Sequence, residues 1–153
     1  MKTKRLSTFS LLLVLLVSCD IIPLPPKVTP NHGLNIDNRE FSFSADGGSA
    51  VSHIKGYSRW DIICSIEYLY SNGVWIDLGC NEDEWIEATL SDDFDSLLGS
   101  WYTVYKPKNE EGQYVNELHI IVSRNETGER RRVLIGLSDG PDTDKVIVTQ
   151  EAE

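Results

Sequence analysis

Hydrophobic and polar residues alternate in short runs over most of the chain after residue 40. Phe41-Ser42-Phe43-Ser44 is one such run, and it ends at Asp46-Gly47-Gly48, where glycine permits a tight turn. Runs of this kind predict strands that bury one face, and no window of twelve residues carries a helical stripe. The pattern predicts further strands at Ser49–Lys55, Trp60–Cys64, Val74–Leu78, Trp85–Leu90, Trp101–Tyr105, Val115–Ser123, Arg131–Leu137 and Lys145–Gln150, with a loop over 91–99. Ile66–Tyr70 either extends the strand at Trp60–Cys64 or forms another one.

The spacing of these runs predicts the fold class. Short strands with a turn about every 8 to 12 residues are typical of a β-sandwich or barrel. Roughly 110 residues is the size of a sandwich of about seven to nine strands with a core of its own. The sequence therefore predicts an all-β domain over residues 41–153.

The longest apolar run lies at the N-terminus and indicates export. Phe9–Val17 follows the basic residues Lys2, Lys4 and Arg5, and it is far shorter than the about 20 residues that span a bilayer. The next residues, Leu16-Val17-Ser18-Cys19, resemble the lipobox of bacterial lipoproteins. The resemblance implies that residues 1–18 are a signal peptide and that Cys19 is acylated, which would fix the protein to a membrane. The alternative is an ordinary signal peptide in which Cys19 has no role.

Residues 19–40 have the composition of a tether. They contain four of the six prolines of the chain and little periodicity. At about 3.1 Å per residue, an extended segment of this length would reach roughly 60 Å from the membrane. The alternative for its last part is that Leu34–Ile36 pairs as an edge strand.

Charge narrows the range of partners. Fourteen Lys and Arg stand against 24 Asp and Glu, which gives a net charge of -10 and a pI near 4.7. Removal of residues 1–18 takes away three positive charges and leaves -13. Nucleic acid is therefore excluded as a partner, because its phosphates need a basic surface. Neutral or basic partners, such as uncharged glycans, fit this charge better.

Three pieces of the β region, FSFSADGGSAVSHI, SRWDIIC with DEWIEATL, and ELHIIVSRNETGERRRVLIGL with a closing VIVTQ, resemble one known family. The family is the BACON domain, whose name stands for Bacteroidetes-associated carbohydrate-binding often N-terminal. The residues that match its pattern are Gly47, Gly48, Trp60, Trp85, Ile86, Asn125, Thr127, Arg130 or Arg131, Val146, Val148 and Gln150. The resemblance implies an immunoglobulin-like β-sandwich on an exported protein of gut bacteria. The matched residues have the character of scaffold, so no binding site is carried over from them.

The sequence contains little that indicates a catalytic site or a metal site. Gly136-Leu137-Ser138-Asp139-Gly140 fits the serine-hydrolase pattern G-x-S-x-G, but no histidine follows it, and Pro141 favours a hairpin turn. The histidines are scattered, which argues against zinc. The acidic residues Asp92, Asp93 and Asp95, with Glu82–Glu84, could hold calcium or form a solvated loop. We therefore expect no enzyme, no metal and no cofactor.

Cys64 and Cys80 are the cysteines that remain beside Cys19. In an exported protein they could form a disulfide, which would stabilise the fold by roughly 3 kcal/mol for a loop of about 15 residues. The alternative is that Cys64, in alternation with Trp60 and Ile62, is a buried free thiol.

Ten of the 14 aromatic residues lie between Tyr57 and Tyr105. By their alternation, Trp60 and Trp85 are predicted to lie in the core. The residues that we expect to stack on a sugar ring at the surface are Trp75, Trp101, Tyr70, Tyr102 and Tyr105. The alternative is that these side chains also fill the core.

The sequence thus favours a lipoprotein anchored through Cys19, in the outer membrane, whose non-catalytic sandwich binds polysaccharide. The alternative is an envelope protein with the same fold that docks another protein or acts as a spacer and binds no glycan.

Overall fold

The structure is a computed structural model that describes residues 34–55 and 59–153; the predicted signal peptide, Cys19 and most of the tether lie outside these residues. Eleven strands form within the described residues. They are β1 (Asn35–Ile36), β2 (Glu40–Phe43), β3 (Gly48–Lys55), β4 (Asp61–Ser71), β5 (Val74–Cys80), β6 (Ala88–Leu90), β7 (Ser96–Gly99), β8 (Tyr102–Tyr105), β9 (Glu117–Val122), β10 (Arg131–Ser138) and β11 (Thr143–Gln150).

The strands form two sheets that pack face to face. One sheet has the order β1-β3-β9-β8-β7-β6, and the other has the order β2-β11-β10-β4-β5. Neighbouring strands are antiparallel except β2 and β11, which are parallel. The first four strands of the larger sheet, β1, β3, β9 and β8, correspond to A, B, E and D of an immunoglobulin-like sandwich, and β7 and β6 extend that sheet. The other sheet corresponds to A′, G, F, C and C′.

The all-β sandwich is confirmed, and no helix occurs in 34–55 or 59–153. The strand number exceeds the predicted seven to nine for two reasons. The predicted loop at 91–99 contains β7, and the short strand β1 adds to the edge of the larger sheet. Of the two alternatives for Ile66–Tyr70, the extension is correct, because one long strand, β4, covers both runs.

Residues 34–36 belong to the folded domain, so the domain begins earlier in the chain than the predicted residue 41. β1 pairs with the end of β3, and Leu34 and Ile36 are buried in the core. Arg39 fixes this segment, because its Nη2 donates to Leu34 O at 2.8 Å and to Asp144 Oδ2 at 2.7 Å. The edge-strand alternative is therefore the correct one for this part of the chain.

Inward-facing residues of both sheets fill the core between them. The buried apolar residues include Trp60, Ile62, Leu97, Val104, Leu118, Ile120, Val133, Ile135, Leu137, Val146 and Val148. The turn before β3 requires glycine, since Gly47 has a φ of +78° and an added Cβ would lie 2.2 Å from Val122 O. The sandwich thus follows directly from the alternation of the sequence.

Two polar residues of the pieces that carry the family resemblance, Asn125 and Gln150, are scaffold, as we expected. Gln150 is fully buried, and its amide nitrogen donates to Ser123 O at 2.8 Å. Asn125 is also fully buried and donates to Glu129 O and Glu151 O. Both side chains satisfy backbone groups that would otherwise be buried without partners.

The G-x-S-x-G segment is a hairpin turn between β10 and β11. Ser138 Oγ donates to Asp142 O at 3.0 Å and accepts from Gly140 N. Its hydroxyl is therefore committed to the turn.

In the part of the chain that the structure describes, no helix is long and apolar enough to cross a membrane.

Candidate binding sites

The structure separates the five predicted stacking residues into three places. Trp101 and Tyr102 point between the sheets, Tyr70 and Trp75 lie on the outer face of the five-stranded sheet, and Tyr105 lies on the outer face of the other sheet. They do not form one site.

Trp101 and Tyr102 are buried, so their prediction as surface residues was wrong. Their exposed fractions are 6% and 2%. Trp101 Nε1 donates to Glu67 Oε2 at 3.2 Å, and the Tyr102 hydroxyl lies 3.1 Å from Glu67 Oε1 and 3.0 Å from Ser65 Oγ. Burial raises the pKa of Tyr102. The two rings fill the core because β4 supplies polar partners for their N–H and O–H groups.

Trp60 is buried as predicted, but the core prediction for Trp85 was wrong. Trp85 is 72% exposed, and its Nε1 donates to Leu78 O at 2.7 Å. The cause is local, because the strand predicted from residue 85 begins only at Ala88. Trp85 instead lies in the turn that precedes β6 and covers the open edge of β5.

Tyr70 and Trp75 form the centre of an aromatic and basic surface. They are paired across β4 and β5, and their ring centroids are 5.1 Å apart. The Arg132 guanidinium lies 4.0 Å from the centre of the Trp75 ring, and that of Arg130 lies 5.1 Å from the centre of the Tyr70 ring. We call these four residues the platform.

The platform arises from the alternation of β10. Arg132 pairs with Tyr68 on the outer face, whereas Arg131 points inward and lies over the buried Trp101 ring at 4.6 Å. The run Arg130-Arg131-Arg132 is therefore divided between the two faces of the sheet. Only its first and third members reach the platform.

The platform arginines differ in how far their charge is balanced. Arg130 Nη2 donates to Glu151 Oε1 at 2.9 Å. Arg132 Nε donates to the Thr149 hydroxyl at 3.1 Å, and no carboxylate of the described residues lies within 4.0 Å of its nitrogens. A groove of about 220 Å³ runs from both arginines past Thr149 to Glu40 on β2. Arg132 thus retains donors that a ligand can use.

Tyr105 lies beside a cluster of titratable groups. Its ring centroid is 5.2 Å from that of His119, and His119 Nε2 is 2.8 Å from Glu117 Oε2. Glu117 also lies 3.6 Å from His53 Nε2. Tyr105 is thus packed against a histidine rather than presented with other aromatic rings.

A cavity of about 370 Å³ opens at one end of the sandwich, and we call it the end cavity. Lys106 lies within it with 6% of its side chain exposed, and its Nζ bonds to Trp60 O and, at 3.2 Å, to Asp61 Oδ1. The residues that line the cavity are Arg59, Trp60, Asp61, Asp93, Lys106, Tyr114 and Asn116. Its wall therefore combines charged, amide and aromatic groups.

Cys64 and Cys80 are free thiols in the structure, so no disulfide joins them there. The prediction that Cys64 shares a face with Ile62 was wrong, because the register with β10 shifts between Gly136 and Leu137 and turns Cys64 outward. Gly136 makes room for its sulfur, since a Cβ there would lie 2.6 Å from Cys64 Sγ. Burial raises the pKa of Cys64.

Two of the acidic residues considered for calcium accept hydrogen bonds within the protein itself. Asp83 Oδ2 accepts from Cys80 N at 2.7 Å. Asp95 Oδ1 accepts from Ser91 Oγ at 3.1 Å, and its Oδ2 accepts from the Tyr114 hydroxyl. Among the described residues, no group of three or more His, Cys, Asp or Glu is arranged to hold a metal ion.

The two packed sheets define an immunoglobulin-like β-sandwich, and the comparisons with known proteins agree with that class. A family model described as "BACON: Putative binding domain, N-terminal" matches residues 74–151, just over half of the chain. The chain therefore belongs to the BACON family, which is a family of binding domains and not a catalytic one.

A solved structure supports the fold. The NMR structure of a protein from Bacteroides thetaiotaomicron is 24% identical, with a TM-score of 0.51 over 76% of this chain and 78% of that one. The comparison with curated proteins gives no significant match.

Sequence reasoning missed two features of these sites. The platform arginines were visible as a basic run, but only the strand phase shows which of them face outward. The end cavity joins residues from four separated segments, and no local pattern connects Asp61, Asp93, Lys106 and Asn116. A signal for it did exist in Lys106, a lysine inside an otherwise buried alternation.

Proposed function

We propose that the protein is an exported, lipid-anchored binding module that holds polysaccharide on the platform without acting on it. The observation that carries this proposal is the pairing of Tyr70 and Trp75 on the outer face with Arg130 and Arg132 beside them. Sugar rings have flat C–H faces that pack on aromatic rings, while their hydroxyl oxygens accept hydrogen bonds from guanidinium groups.

The shape of the surface suits a chain rather than a single sugar. The platform is continuous with the groove that passes Thr149 and ends at Glu40. A polysaccharide lying across β5, β4, β10 and β11 would meet aromatic rings first and polar groups further along. Arg132 would donate to hydroxyl or carboxylate oxygens, since its guanidinium has free donors.

Binding of the purified protein to an array of plant and host polysaccharides tests this function. We expect Trp75→Ala and Arg132→Ala each to weaken binding by about tenfold or more, because stacking and charge-assisted hydrogen bonds each contribute on the order of 1–3 kcal/mol. Trp85→Ala is the matched control, since it removes an exposed tryptophan outside the platform. Retention of full affinity in Trp75→Ala, or no binding by the folded wild type, would refute the proposal.

The anchoring part of the proposal rests on Leu16-Val17-Ser18-Cys19, which follows the apolar run. Acylation of Cys19 would hold the domain at the outer membrane, with the prolines before residue 34 as a spacer. In cells that express the protein, Cys19→Ser should move it from the membrane fraction to the soluble fraction. Cys64→Ser should leave it in the membrane, and equal partition of both variants would contradict the anchor.

A second candidate function is docking of another envelope protein on the edge of β5. Val74 and Ile76 are 59% and 44% exposed, and further along the same strand the exposed Trp85 bonds to Leu78 O. Exposed apolar residues in a row are typical of an interaction surface. This function is favoured if the folded protein binds no glycan and if Ile76→Asp abolishes a partner interaction that Trp75→Ala preserves.

A further inference from the structure

We propose that the end cavity is a second binding site, and that it takes a single uncharged sugar residue, such as the end of a glycan chain. The proposal takes its ligand class from the proposed glycan-binding function, but it uses no residue of the platform. The volume of about 370 Å³ lies within the range of small-molecule sites, about 300–1,000 Å³.

The charges of the cavity balance and therefore favour a neutral ligand. Arg59 and Lys106 stand against Asp61 and Asp93. A ligand with a net charge would meet a repelling group whichever sign it carried. A ring with several hydroxyls can instead donate to a carboxylate and accept from a cation or amide at once.

Lys106 supplies a donor held in a fixed place. Lysine is rarely this buried unless it is paired, and here Trp60 O and Asp61 Oδ1 accept two of the three protons on Nζ. The third proton has no oxygen acceptor among the described residues. A hydroxyl oxygen in the cavity would satisfy it, at no cost of ordering the side chain.

Two further side chains, Asp93 and Asn116, supply the additional acceptor and donor that two neighbouring hydroxyls of a sugar would use. Asp93 presents a carboxylate, and the side-chain amide of Asn116 makes no hydrogen bond to another described residue. The backbone of Asn116 is fixed, because its carbonyl accepts from Ile54 N at 2.9 Å. The cavity thus offers acceptors and donors on a firm support.

Tyr114 forms the aromatic wall and is held from three sides. Lys106 Nζ and Lys108 Nζ lie 4.7 and 4.4 Å from its ring centroid, and its hydroxyl donates to Asp95. The ring remains 42% exposed. An oriented, partly open ring is suited to contact the C–H face of a sugar.

The loop that carries Asp93 is held in an unusual conformation. Phe94 has a φ of +57°, which is rare for a bulky side chain. The surrounding structure imposes it, since Phe94 O accepts from Ile62 N and Phe94 N donates to Ser91 O, both at 3.0 Å. These two bonds also fix the backbone next to Asp93.

The test is a titration of the isotope-labelled purified protein with neutral monosaccharides, followed by NMR. Glucose, galactose, mannose, fucose and N-acetylglucosamine would each be added up to about 50 mM, so that binding with a Kd in the millimolar range, about -4 kcal/mol, is still detected. We expect saturable shifts of the Tyr114 and Asn116 amides with at least one sugar, and weaker binding of glucuronate than of glucose.

Variants assign the shifts to the cavity. Asp93→Ala and Asn116→Ala should each lower the affinity by about tenfold, the expected loss for one good hydrogen bond to a ligand. Asp92→Ala is the matched control, because Asp92 is its exposed neighbour and does not line the cavity. Trp75→Ala should also bind normally, so failure of the platform and failure of the cavity are separate results. Absence of saturable shifts with every sugar, or unchanged affinity in both Asp93→Ala and Asn116→Ala, would overturn the proposal.

Discussion

Asp37 shows how one side chain closes the start of the domain. Its Oδ1 accepts from His53 N at 2.8 Å and from Ser52 Oγ at 3.1 Å, and its Oδ2 lies 2.9 Å from His53 Nδ1. These bonds join the segment after β1 to β3. The hydrogen bond from the His53 backbone is the main reason that the pKa of Asp37 falls from its ordinary 3.8 to about 2.

The lowered pKa of Asp37 predicts a contribution to stability that depends on pH. A carboxyl with a lower pKa in the folded state stabilises the fold above its unfolded pKa and loses that effect as pH falls through the folded value. Asp37→Asn should therefore destabilise the protein at pH 6, and the difference from wild type should shrink between pH 4 and pH 2. Urea unfolding across this range measures it.

The control for this experiment is Asp92→Asn, which changes an exposed carboxyl that makes no hydrogen bond with the described residues. We expect its stability to follow that of the wild type at every pH. A constant difference between Asp37→Asn and the wild type from pH 6 to pH 2 would show that Asp37 does not titrate as described.

Residue identity alone did not decide which aromatic side chains reach the surface. Trp75, Trp85 and Trp101 stand in similar sequence surroundings, yet one is on the platform, one covers a strand edge and one is buried. Alternation gave Trp60 correctly, because Trp60 is in phase with the buried Ile62, ahead of the register shift in β4. Alternation failed for Trp85, which lies in a turn. The expectation that Trp101 is at the surface failed because its N–H has a buried acceptor, Glu67.

At the scale of elements, a network of buried hydrogen bonds joins the two sheets, and we call it the staple. Glu67 and Ser65 belong to β4 of one sheet, while Trp101 and Tyr102 lie at the start of β8 in the other. Glu67 is 7% exposed, so its carboxylate depends on these donors. Such a network stabilises one arrangement of the sheets only while every member is present.

Tyr102→Phe should destabilise the protein by about 1–3 kcal/mol, because it removes a donor from a buried carboxylate and leaves the packing of the ring unchanged. Thermal or urea unfolding measures the loss. Tyr105→Phe is the matched control, since Tyr105 lies on the outer face and its hydroxyl bonds to no described residue. Equal stability of the two variants would contradict the staple.

The elements also explain which parts of the fold were predictable. Strands with regular alternation, such as β3, β9, β10 and β11, were placed within a few residues. β7 was missed, since Ser96–Gly99 is short and ends in glycine. The shift of register beside Gly136 reversed the face of Cys64, and such a shift leaves no mark in the hydrophobic pattern.

At the scale of the whole molecule, charge is unevenly distributed. The chain has 24 acidic and 14 basic residues, yet the platform carries two arginines on one face. The overall charge therefore predicts solubility and poor attraction for nucleic acid, while the local charge decides what the platform can hold. The platform and the end cavity involve different segments, so a single chain of this size has room for two kinds of contact.

The parallel pairing of β2 with β11 has a mechanical consequence. A ligand on the platform would pull on β10 and its neighbours, whereas the proposed tether would pull at the beginning of the domain, and β11 lies between these two points. Because β2 and β11 run in the same direction, a load between the start of β2 and the far end of β11 would stretch their hydrogen bonds together, in shear. We expect the pairing of β1, which has only two residues, to break first under such a load and to lengthen the proposed tether by a few residues. A domain built in this way would resist drag on its ligand in a flowing medium. Under a larger force it would lose β1 before its core unfolded.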